Sequence, residues 1–431
     1  MFGLTQGQGT EAAVGALKHL ATAFVFLILG LALLFINSGE IAEHGLRGTK
    51  VVAGFHFITL GWLSLSIFGA LQVFSGVALG GLPLNQRFSP YARWAWSVGI
   101  VFFVCGLYHT QVYLLIPGLL MLGVALALYT IQILPVLITA NRGQTTRVFI
   151  SLAFISLWSA WLLGVCAGLL RIGAFPSGYL IPVGYFHAHL LLASFGWVGS
   201  MVIGVGSHLI PMFALSRNTP TLPLNVALSA WFILVLSAIA SAFDPHPWRQ
   251  VAWIAAALGT VAWVVQFVLY LRARIRREKD EGLRIASVAT LFLLVIWIGI
   301  GKELDPVVLT VLMIIGWLSI FTLGVYHRVV PFLVWFMKYS RPQKGKVPPR
   351  VKDLLDARLG IATLVLFLGG LLIWSVGLVS HLSVLLFLGS GAFVVGSLCC
   401  LLQIKTLLNP KKREVPPYGA GTVGRTHYSK T

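Results

Sequence analysis

The side chains best suited to chemistry in this sequence are histidines, and several lie inside long apolar segments. His56 stands five residues before Gly61 in the second such segment, and His187 and His189 open the sixth. His208 and His327 lie near the far ends of the sixth and tenth. A neutral imidazole nitrogen is a common metal ligand, and a ligand-capable group within an apolar span is costly enough to suggest a task. Spacing limits which of them can cooperate. His189 and His208 are nineteen residues apart, about 28 Å along a helix, so an unbroken helix keeps them in separate sites. His187 and His189 point about 200° away from each other, so at most one faces a given partner. Either they serve two sites, or one binds and the other bonds locally. The plainer reading of each is a histidine bonded to a backbone carbonyl or interface water. That reading suits His44, His109, His246 and His381 in predicted turns, and His19 and His427 at an edge or in the tail.

Cysteine chemistry is thin. Cys105, Cys166, Cys399 and Cys400 lie in apolar runs and form no C-x-x-C or C-x-x-C-H. Any haem is therefore expected to be held non-covalently. The Gly204-Val205-Gly206 run lacks the strand-to-helix context of a nucleotide-binding turn. Carboxylates, the usual coupling groups of carriers, are nearly absent from the apolar segments.

The elements that must position these histidines follow from composition. The chain has 431 residues, 58% hydrophobic and only 10% charged, against about 25% charged in soluble domains. Its apolar runs are long enough to cross roughly 30 Å of hydrocarbon. They fall at 17–37, 51–80, 93–108, 111–138, 148–170, 180–214, 224–243, 250–271, 285–301, 306–337, 354–378 and 383–404. The expected fold is all-α, a polytopic membrane protein of about twelve transmembrane helices in the lipid bilayer. Only His109-Thr110-Gln111 separates the third and fourth. Residues 1–16 precede a first helix read as a retained span, because no cleavage signal follows it.

The net charge of +19 sits in alternate short loops. One set holds Arg87, Arg93, Arg142, Arg147, Arg217, the run from Arg272 to Arg284, the run from Lys338 to Lys352, and the tail at 406–431. The other is mixed, with Glu40, Glu43, Asp244, Glu303 and Asp305 among its residues. The Lys/Arg bias makes the first set cytoplasmic, with both termini there, in a cell's inner (plasma) membrane. No basic stripe interleaved with aromatics suggests nucleic acid.

Three segments share a pattern. The second reads Gly61-Trp62, Gly69, Gln72; the sixth Gly196-Trp197, Gly204, His208, Pro211; the tenth Gly316-Trp317, Gly324, His327, Pro331. The glycines of each are eight residues apart, on nearly one helix face. Small residues on one face also simply allow close packing in membranes. Three matches spaced four helices apart predict three pseudo-symmetric four-helix repeats, at about 17–138, 148–271 and 285–405. Trp62, Trp197 and Trp317 would then share a packing role or line a flat cofactor.

Twelve spans, three four-helix arcs and outer-half histidines on helices two and six resemble the catalytic subunit of the haem–copper oxidases. Phe186-His187-Ala188-His189 through Gly196-Trp197 to Pro211 resembles the H-x-H…G-W…P helices of that superfamily, and Gly54-Phe55-His56 through Gly61 resembles its second helix. His187-Ala188-His189-Leu190 is also similar to the H-A-H-E of the nitric-oxide-response membrane proteins of the superfamily, except at its acidic residue. In the oxidases H-x-H falls on helix ten, where this chain has Leu309 and Val311, and a His-His pair that this chain lacks holds copper. The resemblance implies a divergent member binding haem b, and copper as a further candidate. His56 with His187 or His189 would be the cofactor ligands, and His208 and His327 candidate metal ligands. It implies electron transfer or a nitric-oxide- or oxygen-related response, with a cytochrome or quinol donor and other redox subunits as partners. A cofactor-free transporter or channel, lined by Gln72, Gln132, His208 and His327, is the alternative, as is an assembly partner of a respiratory complex.

Overall fold

Backbone groups in hydrocarbon must bond to one another, and a helix satisfies them within one segment. The computed structural model describes residues 6–45, 48–174, 183–275, 280–340 and 348–408. Twelve of its helices are long and apolar enough to cross a membrane. They are α1 (Gln8–Ile36), α2 (Thr49–Gly76), α3 (Ser89–His109), α4 (Val112–Thr139), α5 (Gln144–Arg171) and α6 (Tyr185–Ala214), followed by α7 (Leu222–Phe243), α8 (Pro245–Arg272), α9 (Glu281–Gly301), α10 (Pro306–Tyr339), α11 (Ala357–Ser380) and α12 (Ser383–Leu407). The chain is an all-α, multi-pass membrane protein. Among the described residues the one departure towards strand is an isolated bridge between Ser216 and Arg274. Arg276, Arg277, Lys279, Arg341, Lys344, Lys346, the start of the sixth segment at 180 and the tail from 409, with His427, lie outside the described residues.

Helix ends depart from the apolar runs where packing rather than hydropathy extends them. The first helix reaches back to Gln6, and its Ala12, Ala13 and Ala16 are buried against the bundle. It therefore includes much of the segment assigned to a separate amino-terminal stretch. The third and fourth helices are distinct. Thr110 takes a left-handed conformation (φ 54°), Gln111 is extended, and α4 starts at Val112. A short helix, Ser38–His44, follows α1.

Three pairs pack most extensively: α3 with α4, α7 with α8, and α11 with α12. Helices α2, α6 and α10 each lie against the helix before them, and the patterned glycines face that neighbour. A β-carbon at Gly69 would stand 2.8 Å from His19 of α1, one at Gly196 2.6 Å from Ser156 of α5, and one at Gly324 2.8 Å from Ala286 of α9. The glycine stripes are close-packing surfaces.

The same three helices share a second feature. Each opens into a π-helical segment of eight residues, Phe57–Ser64, Leu192–Gly199 and Leu312–Ser319, with Gly-Trp at its fifth and sixth positions. A π turn bonds i to i+5 and is wider than the α turn. The Ser64 hydroxyl follows the wider turn, donating to the carbonyl of Thr59, five residues back. The carbonyl before Gly-Trp is also reached from outside on α2 and α6. Trp96 of α3 donates to Leu60, and Trp231 of α7 donates to Phe195. On α11, Trp374 instead donates to Ser390 of α12.

The π segments meet at the centre of the bundle. Trp197 donates to the Ser64 hydroxyl at 2.9 Å, joining α6 to α2. The Trp317 ring lies 3.3 Å from where a β-carbon on Gly199 would stand, joining α10 to α6. Trp62 packs on Tyr326 with ring centres 4.6 Å apart, joining α2 to α10. All three tryptophans are buried.

Candidate functional site

The end of the bundle away from the basic loops holds His56, in the α-helical turn just before the first π segment, and His189, just before the second. Their rings face each other across α2 and α6, with centres 6.5 Å apart and planes inclined by 28°. His56 Nδ1 lies 2.8 Å from the Val52 carbonyl, one turn back on its own helix. His189 Nδ1 lies 2.8 Å from the Ala160 carbonyl on α5. A carbonyl can only accept, so both Nδ1 atoms carry the proton and both Nε2 atoms keep a free lone pair. Neither Nε2 has a hydrogen-bond partner among the described residues. Packing fixes the rings further. Phe103 of α3 meets His56 edge-on at 5.1 Å. Gly164 of α5 makes room for His189, since a β-carbon there would stand 3.0 Å from its Cε1.

His187 is not part of this pair. It is exposed at the start of α6, beside Phe186. The 200° divergence read from the sequence separates the two side chains, and the structure brings His189 to His56. His208 is half-buried against Phe74 near the basic end, with ring centres 5.5 Å apart. His327 is buried, with Nδ1 2.7 Å from the Leu323 carbonyl and Nε2 unpartnered. It borders a cavity of about 10 Å³ lined also by Tyr326, Cys400 and Gln403, room for about one water.

His19, expected at the edge of the first span, is instead fully buried. Its Nδ1 lies 2.8 Å from the Gly15 carbonyl and its Nε2 3.0 Å from the Tyr129 hydroxyl on α4. With Nδ1–H donating to Gly15, Nε2 accepts from the phenol. No local motif announces that partner, 110 residues away.

Two metal–imidazole bonds of about 2.0 Å, with the ring radii added, set ring centres about 6 Å apart. The observed 6.5 Å between ring centres is close to that separation. Among the described residues no group of three or more His, Cys, Asp or Glu side chains could hold a metal ion. Haem asks the protein for one or two ligands, a number that two histidines meet. A copper ion held by three protein ligands finds no such set among the described residues. Neither the family models nor the curated proteins compared with the sequence give a match.

Proposed function

We propose that the chain is a haem-binding membrane protein of the haem–copper oxidase type, acting in electron transfer or in a response to nitric oxide or oxygen. The observation that carries this reading is the His56–His189 pair, with both Nδ1 protons tied to carbonyls and both Nε2 lone pairs free. In this reading His56 and His189 would hold a b-type haem, which would supply one-electron chemistry when bound. Val52 and Ala160 fix the tautomer and ring orientation, as outer carbonyls do for ligating histidines elsewhere. Phe103 and Gly164 set the positions of the two rings.

The same reading places the basic end and both termini in the cytoplasm of a plasma (inner) membrane, with the histidine pair in the outer half. It makes a cytochrome or quinol the electron donor and other redox subunits the neighbours. It also takes the chain as three four-helix repeats, supported by the recurrence of the π segment in one register on α2, α6 and α10.

The test is an absorption spectrum of the detergent-purified protein, oxidised and then reduced with dithionite, with total iron and copper. A Soret band that shifts on reduction, with near-stoichiometric iron, is the expected result. A colourless, iron-free protein of intact helicity after expression with ample haem would refute the reading.

A further inference from the structure

Counter-charge is unevenly distributed over the basic end of the bundle. On the α9–α11 side the chain supplies its own. Asp280 pairs with Arg328, Glu281 with Arg284 at 3.1 Å, and Asp356 caps α11. On the α1–α8 side the described residues supply one carboxylate, Glu11. The sequence carries no Asp or Glu between Glu11 and Glu278 except Glu40, Glu43 and Asp244, which belong to the opposite end of the bundle. Among the described residues, Lys18, Arg87, Arg93, Arg142, Arg147 and Arg217 therefore share an end of the bundle with a single carboxylate, Glu11, in the first turns of α1.

One of these cations is already positioned. Arg93, in the second turn of α3, is half-buried, with its guanidinium 4.8 Å from the Trp94 ring centre. Its Nη1 donates to the Thr22 hydroxyl of α1 at 3.2 Å. Thr22 in turn donates to the Lys18 carbonyl at 2.8 Å, so the two helices are tied where both carry a cation. Lys18 is exposed one turn before Thr22. Arg93 forms no ion pair among the described residues. Beside it Tyr91 and Trp94 are 67% and 60% exposed, at a helix end where aromatic side chains mark the headgroup level.

We propose that the joined basic ends of α1 and α3, at Lys18 and Arg93, bind the phosphate headgroup of an anionic glycerophospholipid. Arg93 supplies a fixed fork of donors matched to phosphate oxygens. Lys18 adds a mobile second charge, and Tyr91 and Trp94 pack on the glycerol and upper acyl chain. A lipid suits the site better than an acidic soluble protein, because the aromatic flank lies at membrane depth. The assignment is independent of haem.

Native mass spectrometry of the intact protein, released from micelles doped with phosphatidylglycerol or phosphatidylcholine, tests it. The wild type is expected to retain phosphatidylglycerol in preference to phosphatidylcholine. Arg93→Gln and Lys18→Gln should each weaken retention by about fivefold, the value of roughly one interfacial charge. Arg93→Lys should recover part of it, and Arg358→Gln on the compensated side should change nothing. Equal retention by wild type and Arg93→Gln, when both elute as folded monodisperse protein, would overturn the site. So would displacement of the lipid by inorganic phosphate, which marks a plain anion site, or by poly-glutamate, which marks a protein dock.

Discussion

His189 is held from two sides, by the Ala160 carbonyl on Nδ1 and by the bare α-carbon of Gly164 against Cε1. Substitution of either neighbour is therefore informative. His189→Ala and His56→Ala should each abolish the Soret band, whereas His187→Ala should leave it, because that ring is exposed and outside the pair. Gly164→Val should displace the His189 ring and lower haem content without removing a ligand, measured as the Soret-to-protein absorbance ratio. Elsewhere, Ser64→Ala should strand the Trp197 indole nitrogen in the buried centre. An unmade buried bond costs roughly 1–3 kcal/mol, visible as a lower melting temperature in detergent. The sequence exposed the histidines and the divergence of His187 from His189. It did not say which one meets His56, since that depends on the rotation of α6 about its axis. His19 was hidden for a related reason: Tyr129 is on another helix, and only tertiary packing brings the two together.

At the scale of the helix, the glycines of α2, α6 and α10 set interhelical distance. Gly196→Ala and Gly324→Ala each place a β-carbon within 3 Å of a neighbouring helix, and overpacking of this kind costs about 1–3 kcal/mol. Gly369→Ala on α11 meets nothing within 4 Å, so helix propensity should dominate and stabilise it by up to about 1 kcal/mol. Thermal unfolding of the three variants side by side would show the contrast. The spans were legible because hydropathy alone selects them. Their ends were less so: α1 is extended by small residues that pack, and α3 starts at Ser89 with Pro90 in its first turn. The π segments left only an indirect trace, the recurrent Gly-Trp, because no residue type marks a change from i+4 to i+5 bonding.

Across the whole molecule, three helices from distant parts of the chain converge on one centre. Loops and charges foretell the number of spans but not which of them meet. The Trp197–Ser64 bond spans 133 residues and the Tyr326–Ser66 contact 260. The π segments have a consequence for this arrangement that resembles the setting of a clock hand. Each inserts one residue's worth of angle between the two halves of its helix, about 100°. On α2 the half beyond the insertion fits Gly69 against His19, while the half before it aims His56 at His189. Deleting one residue between Phe57 and Leu60 would keep the helix and its inner contacts but turn His56 away from its partner. Such a variant should fold, elute as the wild type does, and be colourless. The phase of the helix, more than the presence of two histidines, would then decide whether a cofactor site exists.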